Sequence, residues 1–347
     1  MFENAGRTEL QDLGEFGLIK HLTSAIEHKN TQTIKGVGDD AAVLDYGDKK
    51  VLVSTDMLLE GVHFDLAYTP LKHLGYKAVV VNLSDIYAMN GTPKQVTVSI
   101  GISNRFSLEA VEELYKGIYA ACDHYHVDLV GGDTSSSRQG LVLSVTAVGE
   151  VEENKITYRN TAKEGDLLCL SGDVGGAYMG LQLLEREKQV FLANPQMQPD
   201  LEGWDYIVSR QLKPEARKDV VEWLAGKGIV PTSMIDVSDG VASEIFHLCS
   251  QSGVGMNVYE EKLPIDHQTI QMAEEFKLDV TTAALNGGED YELLFTIPQS
   301  EYDKIKSHKP ITVIGHCTAQ SEGINIITRN NNKFALQAQG WQHLKKD

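Results

Sequence analysis

The chain has 347 residues, 42% of them hydrophobic and 23% charged, and carries a formal net charge of -18. This composition excludes a disordered or fibrous protein, and the length points to two α/β domains instead of a single core. So acidic a surface, with no block of Lys and Arg, repels phosphate backbones and anionic lipid heads, so neither nucleic acid nor a membrane is an expected partner.

The opening run MFENAGRTEL has neither the basic start nor the apolar core of a secretion signal. No apolar run approaches the ~18 residues that cross a bilayer. Cys122, Cys169, Cys249 and Cys317 form no CxxC pair, so a reduced, cytoplasmic setting is expected. Residues 14–28 read as an amphipathic helix and 51–55 as a short buried strand. Residues 70–89 have helical periodicity, with Pro70 in the first turn. A strand near 95–102, a helix over 107–125, a strand into Gly131 and a strand over 141–149 follow. The polar stretch 150–155 marks the expected boundary between an N-terminal domain, 1–150, and a second domain, 151–347. The second half repeats the alternation. Strands are expected at 167–171, 234–237, 291–297 and 311–315, and helices at 176–188, 214–225 and 240–252, with 194–204 as a surface loop.

Five short acidic motifs fall where strands or turns are expected to end: Gly38-Asp39-Asp40, Ser54-Thr55-Asp56, Gly131-Gly132-Asp133-Thr134, Asp236-Val237-Ser238-Asp239-Gly240 and Gly287-Gly288-Glu289-Asp290. Ligands of open α/β sheets bind at such strand ends. Carboxylate and hydroxyl oxygens without His or Cys beside them are the donors that Mg²⁺ selects. Any one motif reads equally well as ordinary turn chemistry; five together favour a site. In helix 70–89, Leu74, Ala78, Val81, Asp85 and Met89 share one stripe, which turns Asp85 inward. A buried carboxylate there calls for a metal, a charge partner, or backbone amides near the helix end. No GxxxxGK[ST] loop is present. The run Gly172–Ala177 fits either a phosphate site at a helix start or a tight packing turn. Among the scattered histidines, His63 alone follows an acidic motif closely.

The segments GVGDDAAV (36–43), VSTDMLLEGVHF (53–64), VNLSDIYAMNGTP (81–93), LVGGDT (129–134), IDVSDG (235–240) and NGGEDYELLF (286–295) occur in that order. Together they closely resemble the thiamine-monophosphate kinases, within the superfamily of aminoimidazole-ribonucleotide and selenophosphate synthetases, over nearly the whole chain. The resemblance implies a two-domain α/β fold whose N-terminal domain dimerises through its sheet. It implies an enzyme that uses ATP and Mg²⁺ to convert thiamine monophosphate to thiamine diphosphate, the last step of that cofactor's synthesis. Metal ligation would fall to Asp40, Thr55, Asp56, Asp85, Asp133, Asp236 and Asp239, of which Asp40, Asp56, Asp85 and Asp239 are the catalytic group. Nucleotide contacts would come from Ser54, Thr55, Tyr115, Gly132, Asp133, Arg159 and Ser238, and acceptor contacts from His63, Glu289 and Trp341. Two relatives fit less well: no Cys precedes Cys122, as a selenophosphate synthetase needs, and the terminus lacks the Cys-bearing tail of a hydrogenase-maturation protein. A scaffold that had lost its metal site would show neutral residues at the acidic motifs, and each keeps its carboxylate.

Overall fold

The computed structural model describes residues 10–338. The first half comprises α1 (Leu10–Thr23), β1 (Thr33–Lys35), β2 (Ala42–Asp45), β3 (Lys50–Leu59), α2 (Leu71–Ala88), β4 (Thr92–Ile102), α3 (Leu108–Tyr125), β5 (Asp128–Ser136) and β6 (Val142–Val151). Its strands form one sheet in the order β1-β2-β3-β6-β4-β5, antiparallel except for the β4–β5 pair. The strict alternation of burial along β6 is that of a sheet with one covered face. Val145 and Ala147 face the core, whereas Ser144 and Thr146 turn to the open side.

Two strands run further than the sequence suggests. β3 passes through Thr55 and Asp56, and β5 continues through Gly131, Gly132, Asp133 and Thr134 instead of ending at Gly131. At Gly132 a Cβ would lie 1.8 Å from the Val98 carbonyl oxygen, so the glycine is what permits the strand to pair that closely. α1 starts and stops earlier than the expected 14–28.

The second half comprises β7 (Leu167–Ser171), α4 (Gly176–Ala193), α5 (Asp205–Leu212), α6 (Lys218–Gly226), β8 (Ser233–Asp236), α7 (Val241–Ser252), β9 (Val254–Tyr259), α8 (His267–Phe276), α9 (Val280–Asn286), β10 (Leu293–Ile297), α10 (Tyr302–Ile305), β11 (Ile311–Ala319), β12 (Ile324–Ile327) and β13 (Lys333–Ala335). They build a second sheet in the order β13-β12-β9-β11-β7-β10-β8. Every residue of β8 and β10 is buried, as befits strands covered on both faces.

α2 joins the halves. It lies on β3, β4 and β6 of the first sheet and also packs on β8 and α5. It is therefore buried on nearly every side, from Leu74 to Ala88, and is not the striped surface helix that its periodicity suggests. Asp85 is the one position of that stretch left partly open, because it faces a cleft between the two sheets.

Candidate active site

Asp40 precedes β2, Asp85 sits in the last turn of α2, and Asp236 ends β8. Each contributes a carboxylate oxygen to a cluster whose atoms all lie within 4.8 Å of one another. Three polar side chains of α2 and β3 hold this group. The Ser84 hydroxyl donates to Asp236 Oδ2 at 2.6 Å, and the Ser54 hydroxyl donates to Asp85 Oδ2. Buried Asn82 accepts the Asp56 main-chain N–H at 2.8 Å and donates to the Ala78 carbonyl at 3.0 Å. From the other side Arg159 donates to Asp40 Oδ1 at 2.7 Å, while Asp39 is engaged by Lys35 and Arg159.

One arginine cannot neutralise so many acids. Burial, opposed by Arg159 and reinforced by Asp236 and Asp39, pushes Asp40 up to about 8. Asp56 lines the cleft, where desolvation first, and the Asp236 charge second, push it up to about 6. Asp85 is driven well above the usual carboxylate range by burial, then by Asp56, Asp236 and Asp40. Asp236 is raised by burial, with the Ser84 hydroxyl pulling the other way. Carboxylates in this state either share protons or bind cations. Asp40 Oδ2 is buried and accepts no hydrogen bond, and the donors are oxygens alone, which fits a hard divalent ion.

A cavity of about 1070 Å³ opens beside the cluster. Asp56, Asp85, Asp236 and Asp239 line it together with His63, Ser238, Glu289 and Tyr291. The Leu59 N–H donates to His63 Nδ1 at 3.0 Å, so the ring proton sits on Nε2. Tyr291 is kept protonated far above its ordinary range, by burial first and then by Glu289, Asp56, Asp236 and Asp85.

The loop from Gly287 to Glu292 divides its acids among three tasks. Glu289 and Tyr291 both adopt positive φ, 65° and 52°, and their N–H groups donate to the carbonyls of Ser238 and Val237 at 2.7 and 2.9 Å. The loop is thus zipped onto the turn that carries Asp239. At Gly287 a Cβ would come within 2.6 Å of Tyr178 Cβ, so only glycine lets α4 pass this closely. Asp290 turns inward and accepts the N–H groups of Gly175 and Ala177 at 2.6 and 3.2 Å. This decides between the two readings of Gly172–Ala177: Asp290 occupies the amides that a phosphate would need, and the turn serves packing. Glu292 accepts from Arg210, Arg217 and Ser171.

Other sequence candidates lie farther off. The Thr55 hydroxyl donates to the Val145 carbonyl at 3.0 Å, within the sheet, away from the cluster. Asp133 is exposed on β5, three strands across from Asp56, about 14 Å at ordinary strand spacing. Tyr115 lies on α3 with its ring 5.9 Å from that of Tyr119, and it does not line the cavity. Trp341 lies outside the described residues. The structure adds residues that sequence reasoning missed: Asn82 and Ser84, both inside the quoted segment 81–93, then Lys77 and Gln211, and Glu244, which accepts the Asp239 N–H at 2.9 Å.

A profile of the family described as AIR synthase related protein, N-terminal domain, matches residues 38–151. The thiamine-monophosphate kinase of Bacillus subtilis (strain 168) is 34% identical over 340 residues, which cover 96% of this chain and 100% of that protein. The Aquifex aeolicus (strain VF5) protein of the same name is 34% identical over 335 residues, covering 96% of this chain and 99% of its own. A solved structure of AaThiL complexed with AMPPCP and TMP superposes with a TM-score of 0.82 at 32% identity, covering 98% of this chain and 100% of that one.

Proposed function

The chain belongs to the family of thiamine-monophosphate kinases, and from that premise we propose that it transfers the γ-phosphoryl group of ATP to thiamine monophosphate, giving thiamine diphosphate. The observation that carries this reading is the carboxylate cluster of Asp40, Asp85 and Asp236 beside a cavity of about 1070 Å³. A triphosphate and a phosphate acceptor bring several negative charges to one place, and acids so raised in pKa tolerate them only with cations between. Mg²⁺ is the fitting ion; bound by Asp40, Asp56, Asp85, Asp236 and Asp239, it supplies charge neutralisation for the phosphates. Thr55 and Asp133 belong to the set by resemblance, and the geometry of one chain lends them no support.

Arg159, Ser54 and Ser238 stand on the nucleotide side by the same reading, with Tyr115 and Gly132 more remote. Glu289, His63 and Trp341 would meet the acceptor, whose cationic thiazolium and flat pyrimidine suit a carboxylate and an aromatic face. Transfer is direct and in line. The acceptor is a phosphate monoester with its second pKa near ~6, already largely a dianion at neutral pH, so no general base is required. The chain's own residues align the two phosphates and exclude water. The division at residue 150 gives an ATP- and metal-binding, dimerising half and a half that completes the site. Dimerisation through the first sheet is supported by apolar side chains left exposed on its strands, Met57 at 53% and Val130 at 60%. A cytoplasmic location accords with the absence, among the described residues, of a helix long and apolar enough to cross a membrane.

One assay tests the activity: ATP and Mg²⁺ with thiamine monophosphate, free thiamine or an aminoimidazole ribonucleotide precursor, and products resolved by chromatography. Thiamine diphosphate formed from the monophosphate alone supports the reading, and its absence removes it. Light scattering that gives a monomer of 38.2 kDa at micromolar concentration would refute the dimer.

A further inference from the structure

Lys77 is 3% exposed, a charge taken out of water in the middle of α2. Its Nζ lies 2.9 Å from Glu289 Oε1 and donates to the Gln211 carbonyl at 3.2 Å. The Gln211 carboxamide Nε2 donates to Glu289 Oε2 at 2.7 Å. Both oxygens of Glu289 are therefore held from outside its own loop, one by α2 and one by α5. Gln211 and Glu289 line the cavity; Lys77 stands behind them and does not.

We propose that Lys77 is a positioning residue that determines acceptor recognition: with Gln211 it holds the Glu289 carboxylate in place at the cavity wall, and ties it to the helix that carries Asp85. The inference rests on the kinase reading above and names the device that serves its acceptor side. Glu289 has a left-handed backbone, φ 65°, a conformation that persists only where surrounding contacts over-determine it. Two buried donors supply that determination. Lys77, Val81 and Asp85 follow one another at i, i+4 and i+8 on one helix face, so about 12 Å of rigid helix separates the acceptor anchor from the carboxylate cluster. Both ends of the site are thereby referred to one element.

Lys77→Met keeps the volume and removes the charge. Acting through Glu289, it raises KM for thiamine monophosphate about 10-fold or more, with KM for ATP and kcat within about three-fold of wild type. Glu289→Gln shifts the same constant, and adding Lys77→Met to Glu289→Gln changes it by no more than about two-fold, because both act through one contact. The double variant also carries no orphaned buried charge, so it reports even where Lys77→Met alone fails to fold. KM for thiamine monophosphate within about two-fold of wild type in a folded Lys77→Met overturns the inference, as do effects that multiply in the double variant. A wild-type chain that makes no thiamine diphosphate overturns the functional reading, and this inference falls with it.

Discussion

Ser84 of α2 donates to Asp236 of β8 at 2.6 Å across 152 positions of sequence, and so joins the helix of the first sheet to a strand end of the second. The bond is fully buried, and Asp236 is one of the three acids that converge on the cluster. A partner of this kind fixes the direction in which a ligating oxygen points. Ser84→Ala is expected to weaken the apparent Mg²⁺ affinity by about 10-fold or more, with KM for thiamine monophosphate little changed. Mg²⁺ titrations of turnover and of intrinsic fluorescence check it. An unaltered Mg²⁺ dependence would reduce Ser84 to a packing residue.

The acids are costly to the fold, and the proposed function gives them the metal that the chemistry needs. Asp40→Asn, Asp85→Asn and Asp239→Asn are each expected to lower kcat at least ~100-fold, the scale on which one electrostatic stabiliser is felt. Asp85→Asn should at the same time leave the metal-free protein as stable as wild type or more so, since burial and three neighbouring carboxylates already oppose its charge. Turnover is measured beside the melting temperature in a chelator. Near-normal kcat in all three folded variants would remove them from the metal set.

Much of this site is legible in the sequence because its chemistry travels in contiguous motifs. Asp40, Asp85 and Asp236 come from three quoted segments and meet within one cluster. Asp85 is conspicuous through its apolar neighbours, although the reason differs: α2 is buried all round, and Asp85 opens onto a cleft. What the sequence hides depends on contacts across the chain. Lys77 looks like any helical lysine until Glu289, far along the chain, reaches its ammonium. Gln211 lies in no motif at all. Adjacent Glu289 and Asp290 serve different tasks, one held at the cavity by Lys77 and Gln211 and the other capping α4, in a loop whose left-handed φ values no strand pattern announces. The strand Val254–Tyr259 contains Gly255 and Asn257, poor strand formers, and is held between β11, antiparallel, and β12, parallel.

The raised acids give a pH dependence of known sign. Asp40 near 8, Asp56 near 6 and Asp290 near 6 all stand above the ~3.9 of an unfolded aspartate. Between these values the native chain binds more protons than the unfolded one, so stability is greatest at low pH within the window and is lost as pH rises from about 4 through 8. A divalent cation on the same oxygens needs them deprotonated, so its uptake releases protons and strengthens with pH. The melting temperature in chelator is expected to fall from about pH 5.5 to about pH 8, and excess Mg²⁺ to restore it most at the upper end. A chelated protein whose melting temperature climbs over that range would contradict the crowding of these acids.

Asp290 separates the support of the site from its chemistry. It receives the N–H groups of Gly175 and Ala177 at the start of α4, and Arg210 lies 3.4 Å from the same carboxylate. It is 1% exposed, so these donors have no water to turn to when it is removed. Asp290→Ala abolishes a cap and leaves a buried guanidinium short of one acceptor, though Glu292 still takes Arg210 at 2.9 Å. Caps contribute about 1 kcal/mol and a broken buried charge contact about 3 kcal/mol, and the surviving Glu292 contact keeps the loss between them, near 2 kcal/mol. The harm also passes to its neighbours, because Asp290 is anchored between Glu289 and Tyr291, both of which take left-handed φ values. KM for thiamine monophosphate should therefore rise more than the Mg²⁺ dependence of turnover changes, since the Asp290 carboxylate bonds to the start of α4 and not to the clustered acids. Denaturant unfolding gives the first quantity and a pair of substrate titrations the second. A stable Asp290→Ala with an altered Mg²⁺ dependence would mean instead that Asp290 serves the metal end.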